Sequence, residues 1–494
     1  MQTHFFEEPQ LEFAHDFHVC PRFGISEYDA YDCIDSMKES KPDKITVGVI
    51  STAILLEQFE EWLNRCIRFV DAKQSKQPNL FTSFPGFSLD RGFKCGIVSP
   101  SEYRREINNS DIEQLISSLD LYSNKEREAV GKMVAEMYLA HIKFLVQVRN
   151  PDVIVCILPN KLVDKVLQLS SEDQAELDRT SISDNENTQE KDMAFDFRCF
   201  LKAKAMKYNV PIQILKESTI IRGTDVSTSR RSLQDMATCS WNFFTALYYK
   251  AGGIPWKAIE TPRSERTCYV GISFYKSLDG NTLHTSSAQM FDELGKGVIL
   301  RGGEAVFDEK NRIPYLDEKN AYTLLNDSIT SYNFAQSSPP KRIVIHKSSG
   351  FTTEEINGFK KALSVHRIST HDFITIYPAS HIKLFRQRQY PPLRGTFLKL
   401  ADSEGIFYTR GSVDFYRTYP GLYIPSPIHI RVAVQNSSIK HLCNEILSLT
   451  KMNWNNTQFD RKFPITIQCS RSVGNILKYL DNTENAENRY SFYM

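Results

Sequence analysis

The chain has 494 residues, of which 41% are hydrophobic and 12% aromatic, enough for two large packed domains or about three smaller ones. No apolar run reaches the length of a membrane-spanning helix, and the first residues lack a signal-peptide pattern, so we expect a cytoplasmic protein that does not enter a membrane. The ten cysteines are scattered without a C-x-x-C pair, which predicts reduced thiols and no zinc site. The net charge of +1 by itself argues against a nucleic-acid partner, until the distribution of the charges along the chain is considered.

Strands and helices alternate along the first half of the chain. Residues 1–37 come first, are polar and aromatic without a long period, and are expected to pack on the second domain as an N-terminal segment. The alternation predicts a parallel sheet covered by helices on both faces. Strands are predicted at 44–51, 93–98, 153–158 and 211–216, and helices at 52–70, 123–149, 194–208 and about 231–250.

The segment 170–193 is acidic and rich in Ser, Asn and Gln, and we interpret it as a mobile surface loop. Between Glu172 and Asp192 it contains eight acids and two bases, so the rest of the chain carries about +7. A moderately basic body suits a protein that binds phosphate backbones, although ordinary surface charge explains it equally well.

Two strands of the second half resemble the acid-bearing strands of RNase H-type nucleases. They are predicted at 267–275 and 342–350, after a turn at 251–256 that marks the domain boundary. In such nucleases, carboxylates hold two divalent cations around the scissile phosphate. Ser273 and Ser348 stand where the acids are expected, and neutral hydroxyls cannot hold that metal pair. The pattern predicts a domain that holds nucleic acid without cutting it.

A polar cluster in the first half suggests a phosphate site. Arg198 and Lys202 are four residues apart on one helical face, Gln213 follows on the next strand, and Lys250 ends the next helix. Two cations, an amide and a helix terminus that converge would bind a phosphate monoester. A solvated helix face and a lysine placed by the helix dipole explain the same residues in a purely structural way.

In their order along the chain, these residues resemble Argonaute proteins. The series Arg198, Lys202, Gln213, Lys250-x-Gly-Gly-x-Pro-Trp is similar to the guide 5′-phosphate pocket of the MID domain. The resemblance covers about residues 38–494 and implies a Rossmann-like MID domain at 38–255 followed by an RNase H-like PIWI domain at 256–494. This arrangement resembles the short prokaryotic Argonautes, which have only these two domains. Landmarks similar to a PIWI domain follow at 271–273, 345–348, 391–396 and 449–455.

The resemblance assigns roles in the pocket residue by residue. Lys202, Gln213 and Lys250 match the phosphate ligands, and Arg198 stands where the family usually has a tyrosine that stacks on the first guide base. A guanidinium can stack on a base and also pair with phosphate. The carboxylate of Met494, together with Gln213, is implied to hold Mg²⁺ at the guide 5′ end, with Phe492 and Tyr493 packing the tail inward.

The second domain departs from the catalytic relatives, which carry Asp, Glu, Asp and a final Asp or His. Ser273 and Ser348 replace the first two aspartates, and His429 lies near the last position, where an ordinary packed histidine explains it better. An alternative is a divergent RNase H-fold nuclease with displaced acids, for which the candidates are Glu304, Asp279 and Asp308. A third hypothesis is a mononucleotide-binding module that uses Arg198 and Lys202.

Basic residues in the second domain fit a channel for a guide–target duplex. We expect Lys347, Arg386 and Arg394 to track its backbone, with Lys383, Arg388 and Arg410 nearby. By resemblance, the guide is a small RNA with a 5′-phosphate, the target is single-stranded DNA, and the role is defence against plasmids or phage. The expected partner is a second chain with an APAZ region fused to a TIR-type or sirtuin-like NAD hydrolase or to a nuclease.

Overall fold

The structure is a computed structural model of the chain. The predicted acidic loop at 170–193 lies outside the residues that it describes. The described residues are 2–37, 39–117, 124–167, 195–221, 234–259, 266–291, 297–308, 313–336, 338–379, 381–387, 391–421, 424–458, 460–481, 484 and 486–494.

The N-terminal segment contains three short strands and one helix, which the sequence analysis did not predict. Buried ion pairs from Glu8 to Arg394 and Lys451 anchor it on the second lobe, at 2.9 and 2.8 Å. The segment also contacts the first lobe, where Lys94 pairs with Asp29 at 2.5 Å. Its elements are β1 (Gln2–Phe5), β2 (Leu11–Glu12), β3 (Phe17–His18) and α1 (Pro21–Tyr28).

The first lobe is built on a five-stranded sheet in the order β5-β4-β7-β8, with β6 also paired to β4. Every pairing is parallel, as the alternation of strands and helices predicted. The runs of β-branched residues that fill β4 and β7 are buried on both faces, which a sheet covered by helices requires. The strands are β4 (Lys44–Ser51), β5 (Gly96–Val98), β6 (Arg104–Glu106), β7 (Val153–Leu158) and β8 (Ile212–Lys216).

The helices of the first lobe follow the predicted order. The first of them ends at Cys66, four residues before the predicted end, because the chain turns there to bridge Val70 to Phe84. They are α2 (Ala53–Cys66), α3 (Asn109–Ser117), α4 (Asn124–Val148), α5 (Asn160–Leu162, continued by a π-helical turn at Val163–Leu167), α6 (Phe197–Ala205), α7 (Glu217–Ile220) and α8 (Met236–Lys250).

The second lobe is built on a nine-stranded sheet with the order β1-β17-β18-β19-β16-β15-β10-β11-β12. Two short sheets accompany it, β13–β14 and β3-β2-β9. The strands are β9 (Lys257–Ala258), β10 (Thr267–Lys276), β11 (Leu283–Phe291), β12 (Gly297–Ile299), β13 (Val306–Asp308), β14 (Ile313–Tyr315), β15 (Arg342–Lys347), β16 (Thr370–Pro378), β17 (Thr396–Ala401), β18 (Glu404–Phe407) and β19 (Ile428–Val434).

The centre of this sheet has the strand pattern of RNase H. β10 is antiparallel to β11 and parallel to β15, and β15 is parallel to β16. One face is covered by α9 (Glu318–Gln336) and α10 (Thr353–Val365), and the other by α11 (Ile439–Leu449) and α12 (Ile465–Leu477). The mixed α/β fold predicted for both lobes is confirmed.

The two lobes share one hydrophobic core. The cluster around β4 and β7 continues through α8 into the outer side of α12 and the C-terminal residues, including Trp454 and Tyr490. The aromatic rings of Tyr249 and Trp454 lie 4.7 Å apart across this junction. Among the described helices, none has the length and apolar content that crossing a membrane requires.

Candidate functional site

The structure brings Gln213 and Lys250 into direct contact. Lys250 is the last residue of α8 and only 6% exposed, and its ammonium donates a hydrogen bond to Oε1 of Gln213 on β8. The helix ends there because Gly252 adopts φ +99° and the amide of Gly253 folds back onto the carbonyl of Tyr248 at 2.9 Å. The two glycines therefore place the lysine at the helix C-terminus, where the dipole favours a cation.

Arg198 and Lys202 lie on α6, the helix that precedes β8. Asp196 caps this helix by accepting a hydrogen bond from the amide of Cys199 at 3.1 Å. Because Phe197 and Leu201 face the core, Arg198 and Lys202 lie half-buried on an adjoining face. A 3-10 turn at 206–208 carries the chain directly into β8. The predicted phosphate ligands thus occupy three neighbouring elements, and their role as ligands stays a prediction.

The C-terminal residues are buried beside α8. Phe492, Tyr493 and Met494 are each less than 5% exposed, and the ring of Tyr490 lies 6.3 Å from that of Tyr249. The hydroxyl of Tyr493 donates to the carbonyl of Glu487 at 2.8 Å. The tail is therefore packed inward, as the sequence analysis expected.

Gln213 is the side chain that the sequence analysis assigned to Mg²⁺. The amide oxygen of Gln213 is a suitable ligand for a hard cation, but here it accepts a hydrogen bond from the ammonium of Lys250. Within the described ranges, no three His, Cys, Asp or Glu side chains come together to hold a metal ion. The assignment of Gln213 and the Met494 carboxylate to Mg²⁺ stays a prediction.

Ser273 and Ser348 lie side by side in the second lobe. Ile272 of β10 is paired with Lys347 of β15. Ser273 and Ser348 are the residues that directly follow this pair on the two strands. The amide of Ser348 donates to the carbonyl of Ile272 at 3.2 Å, and Ser273 is only 2% exposed. The structure therefore brings together the two serines that the sequence analysis placed at the expected acid positions, and that assignment stays a prediction.

The other predicted candidates for a nuclease site are dispersed. Nε2 of His429 on β19 lies 2.7 Å from Glu404, and its ring packs 4.6 Å from that of Tyr377. Burial lowers the pKa of His429, as expected for a packed histidine. Asp279 lies in an exposed turn after β10, and Asp308 belongs to the separate β13–β14 sheet. Glu304 is also exposed, bridged to His284 on β11.

The prediction that Lys347 and Arg394 contact a duplex is wrong, because each of these buried side chains is paired with a carboxylate inside the fold. The ammonium of Lys347 lies 2.7 Å from Glu355, whose carboxylate also caps α10. Arg394 pairs with Glu8 at 2.9 Å and donates to Thr450 at 2.7 Å. Both cations stabilise the fold. Arg386 is half-buried and donates to the carbonyl of Pro391 at 3.0 Å, so its predicted role is not contradicted.

A second cationic cluster surrounds Lys462, in the loop before α12. Lys462 is only 1% exposed, and its ammonium donates to the hydroxyl of Ser426 at 2.8 Å. The charges of Arg410, Arg471 and Lys383 act on it. The sequence analysis named Lys383 and Arg410 for the duplex channel but missed Lys462 and Arg471. The sequence signal for Lys462 is the basic pair Arg461–Lys462, which follows the asparagine-rich residues 453–456.

The ammonium of Lys462 is surrounded by cations, one of which, Arg410, pairs with the buried carboxylate of Asp460 at 3.7 Å. Burial and the three neighbouring cations lower the pKa of Lys462 to about 8. In the part of the chain that the structure describes, no carboxylate lies within ion-pair distance of its ammonium. The guanidinium of Arg471 stacks over the ring of Phe463, 4.4 Å from its centroid. The cluster, hereafter the Lys462 cluster, combines cations with an aromatic ring, which are features that nucleic-acid backbones and bases favour.

Proteins similar to this chain were found both by sequence and by structure. No protein-family profile matches the chain. Over 279 residues it is 23% identical to the Argonaute protein of Aquifex aeolicus (strain VF5), which corresponds to 56% of this chain and 35% of that protein. The chain therefore spans about a third of the length of this curated relative.

Solved Argonaute structures share the fold over nearly the whole chain. Clostridium butyricum Argonaute bound to a guide DNA and a 19-mer target DNA matches 97% of this chain with a TM-score of 0.63 at 14% identity. A. aeolicus Argonaute matches 99% with a TM-score of 0.60 at 16% identity. Marinitoga piezophila Argonaute, in complex with a 5′-hydroxyl guide RNA, matches 100% with a TM-score of 0.55 at 11% identity. This chain covers 53%, 55% and 59% of those chains, about half of each.

The two lobes have the fold of the MID and PIWI domains. The sequence match to one Argonaute runs along 56% of this chain, and the solved structures show the shared fold.

Proposed function

We propose that this chain holds a small guide RNA by its 5′-phosphate and recognises complementary single-stranded DNA without cutting it. The 5′ end would be bound in the first lobe by Lys250 and Gln213, with Arg198 and Lys202 on the adjoining helix. Lys250 supports this role because it is a buried ammonium at a helix C-terminus in contact with the amide of Gln213, and both groups can donate hydrogen bonds to a phosphate.

The observation that carries the proposal is the Lys462 cluster. An ammonium that is 1% exposed, beside three cations and without a carboxylate among the described residues, destabilises the free protein. Backbone phosphates would compensate this charge, and the free energy of binding would offset the unfavourable free energy of burying the ammonium. Such contacts do not read the sequence, which base pairing between guide and target supplies instead.

Absence of cutting is proposed from Ser273 and Ser348. The two hydroxyls lie next to each other at the end of adjacent parallel strands, where a nuclease of this fold needs carboxylates for two metal ions. We further propose that Mg²⁺ contributes only at the guide 5′ end, between the phosphate, Gln213 and the carboxylate of Met494. No catalytic step of this chain depends on that ion.

A protein that pairs guide with target and leaves the target intact needs another way to act. Target pairing supplies the free energy for a change of conformation or assembly that a bound partner can sense. The proposed partner carries an APAZ region fused to an NAD hydrolase, TIR-type or sirtuin-like, or to a nuclease. The proposed role is defence against plasmids or phage, in the manner of the short prokaryotic Argonautes.

A cleavage assay tests the central part of the proposal. Purified chain is loaded with a 5′-phosphorylated guide RNA and incubated with end-labelled complementary DNA in Mg²⁺ or Mn²⁺. We expect tight retention of intact target, and no retention of a scrambled target. A cut at a single phosphate, whose position moves with the guide, would instead establish the nuclease with displaced acids. Co-purification of mononucleotides, with no affinity for oligonucleotides, would favour the mononucleotide-binding module.

The partner is tested separately by co-expression with the product of any adjacent gene. We expect a stable heterodimer with an interface above about 2,000 Å². Its NAD hydrolysis or DNA degradation should appear only when both guide and complementary target are present. A monomer that binds guide and target, with no companion effector encoded nearby, would refute the partner while leaving guide binding intact.

A further inference from the structure

Helix α4 exposes an apolar stripe on the outside of the first lobe. Met133 is 53% exposed and Phe144 is 40% exposed, and Ala140 is exposed between them. These positions follow one another at seven and four residues, so they lie on one face of the helix. The opposite face, with Tyr138 and Leu145, is buried in the core. The helix therefore has a second, solvent-facing apolar surface, which a helix that only covers a sheet does not need.

Charged residues flank this stripe with opposite signs at its two ends. Glu136 lies on the N-terminal side of Ala140 and Lys143 on the C-terminal side, and both are exposed. Within the described ranges, the structure gives neither of them an ion-pair partner. Arg105 adds a second cation at the C-terminal end, since its guanidinium lies 4.2 Å from the centroid of the Phe144 ring.

We propose that this face of α4 binds the same face of a second copy of the chain, with the two helices antiparallel about a two-fold axis near Ala140. A two-fold interface is self-complementary, so each residue must suit its symmetry partner. About Ala140, Glu136 of one copy falls beside Lys143 and Phe144 of the other, and the reverse pair forms on the far side of the axis. In this antiparallel arrangement, Glu136 of each copy therefore lies beside a cation of the other copy.

The small residue at the centre fits this geometry. Packed helices lie about 8–10 Å apart, and the shorter distances need small side chains at the crossing point. Ala140 lies at that point, and Met133 and Phe144 reach across it on either side. A parallel pair would instead place Glu136 against Glu136 and Lys143 against Lys143, which like-charge repulsion disfavours. The inference concerns self-association and does not depend on whether the chain binds a guide.

Charge reversal tests the proposed pairing. We expect wild-type protein to show a concentration-dependent dimer by sedimentation velocity, up to about 100 μM. Glu136→Lys and Lys143→Glu should each weaken the dimer at least about tenfold, since each places like charges together twice. The double variant carries both reversals on one chain and should recover the wild-type dimer. Melting curves of the monomers check that these surface changes leave the fold intact.

A cysteine at the axis provides an independent readout. Ala140→Cys should form an intermolecular disulfide on mild oxidation, because position 140 faces itself across the two-fold. Glu57→Cys, exposed on α2, is the matched control and should cross-link no more than wild type. A wild-type chain that stays monomeric at about 100 μM, with or without guide, would overturn the proposal. So would a dimer that neither charge reversal weakens, since its interface would lie elsewhere.

Discussion

Two buried lysines of the second lobe have opposite electrostatic surroundings. Lys347 is fully buried on the α10 side of the sheet, 2.7 Å from the carboxylate of Glu355. Lys462 is 1% exposed before α12, and its ammonium lies near the hydroxyl of Ser426, the ring of Phe463 and three cations. Burial lowers the pKa of both ammonium groups, but Glu355 opposes that shift at Lys347, whereas no charge opposes it at Lys462.

The contrast shows how a cation that stabilises the fold differs from a cation that is available to bind an anionic ligand. A buried charge with a good partner holds two elements together, here β15 and the start of α10. A buried charge without a partner costs free energy in the absence of a ligand and becomes favourable when an anion arrives. Lys347 therefore belongs to the fold, and Lys462 to the proposed phosphate-binding surface.

The largest expected effect is on Glu355. Glu355→Gln removes the partner of a fully buried ammonium and one acceptor of the α10 capping box. We expect the free energy of unfolding to fall by about 3–5 kcal/mol, measured by urea denaturation. Lys462→Met is the matched control in the same lobe, and it should keep or raise the stability. Equal losses in the two variants would remove the distinction between the two lysines.

The affinity for nucleic acid, unlike the stability of the free protein, should be lowered by Lys462→Met. Lys462→Met removes one phosphate contact, so its affinity for a guide–target duplex should fall, and the slope of log affinity against log salt should shrink by about 1. Fluorescence anisotropy over a salt series measures both quantities. Lys360→Met, which removes an exposed cation on α10, should change neither by a comparable amount. An unchanged salt slope for Lys462→Met would place the nucleic acid elsewhere.

Raising the pH should weaken binding through the same lysine. The pKa of Lys462 is lowered from 10.5 to about 8 in the free protein, and only its protonated form attracts phosphate. Affinity should therefore decline between pH 7 and pH 9, and less so in Lys462→Arg, whose guanidinium stays charged. A 5′-hydroxyl guide removes the titrating phosphate monoester from this comparison. Identical pH profiles for the two proteins would contradict the assignment.

The same lysine predicts a small effect of pH on stability without nucleic acid. Because the folded-state pKa lies below the unfolded value, the unfolded chain binds more protons between about pH 8 and pH 10.5. The destabilisation by Lys462 is fully present below pH 8 and is lost as the pH rises through this window. Wild type should thus gain stability relative to Lys462→Met over that range, as urea titrations at several pH values can show.

The sequence predicted most regular elements because local pattern determines them. The strand KITVGVIS and the strand VIVCIL have the predicted bounds, since runs of apolar residues between polar ones leave little choice of boundary. The short strands at 2–5 and 11–12 were missed, because they pair with strands that lie hundreds of residues away. Such pairing is tertiary and has no local period. The strand at 17–18 was missed as well, and it pairs with the two-residue strand at 11–12.

One contact within the candidate site was predictable from the sequence, whereas the burial of its cations was not. Gln213 and Lys250 were expected to converge, and the structure places them in contact. Lys347 and Arg394 were misassigned, because a sequence shows a positive charge but not the carboxylate that neutralises it. Glu8, which pairs with Arg394, stands 386 residues before it. Whether a lysine is structural or functional depends on that distant partner.

The most direct test of guide binding compares 5′-phosphorylated and 5′-hydroxyl guide RNAs of the same sequence. Wild type should prefer the phosphorylated guide by about 1.5–3 kcal/mol for each charge-assisted bond. Lys250→Ala should remove most of that preference while leaving the affinity for the hydroxyl guide nearly unchanged. The account predicts a 5′-phosphate preference that depends on Lys250. Equal affinity of wild type for the two guides would contradict it.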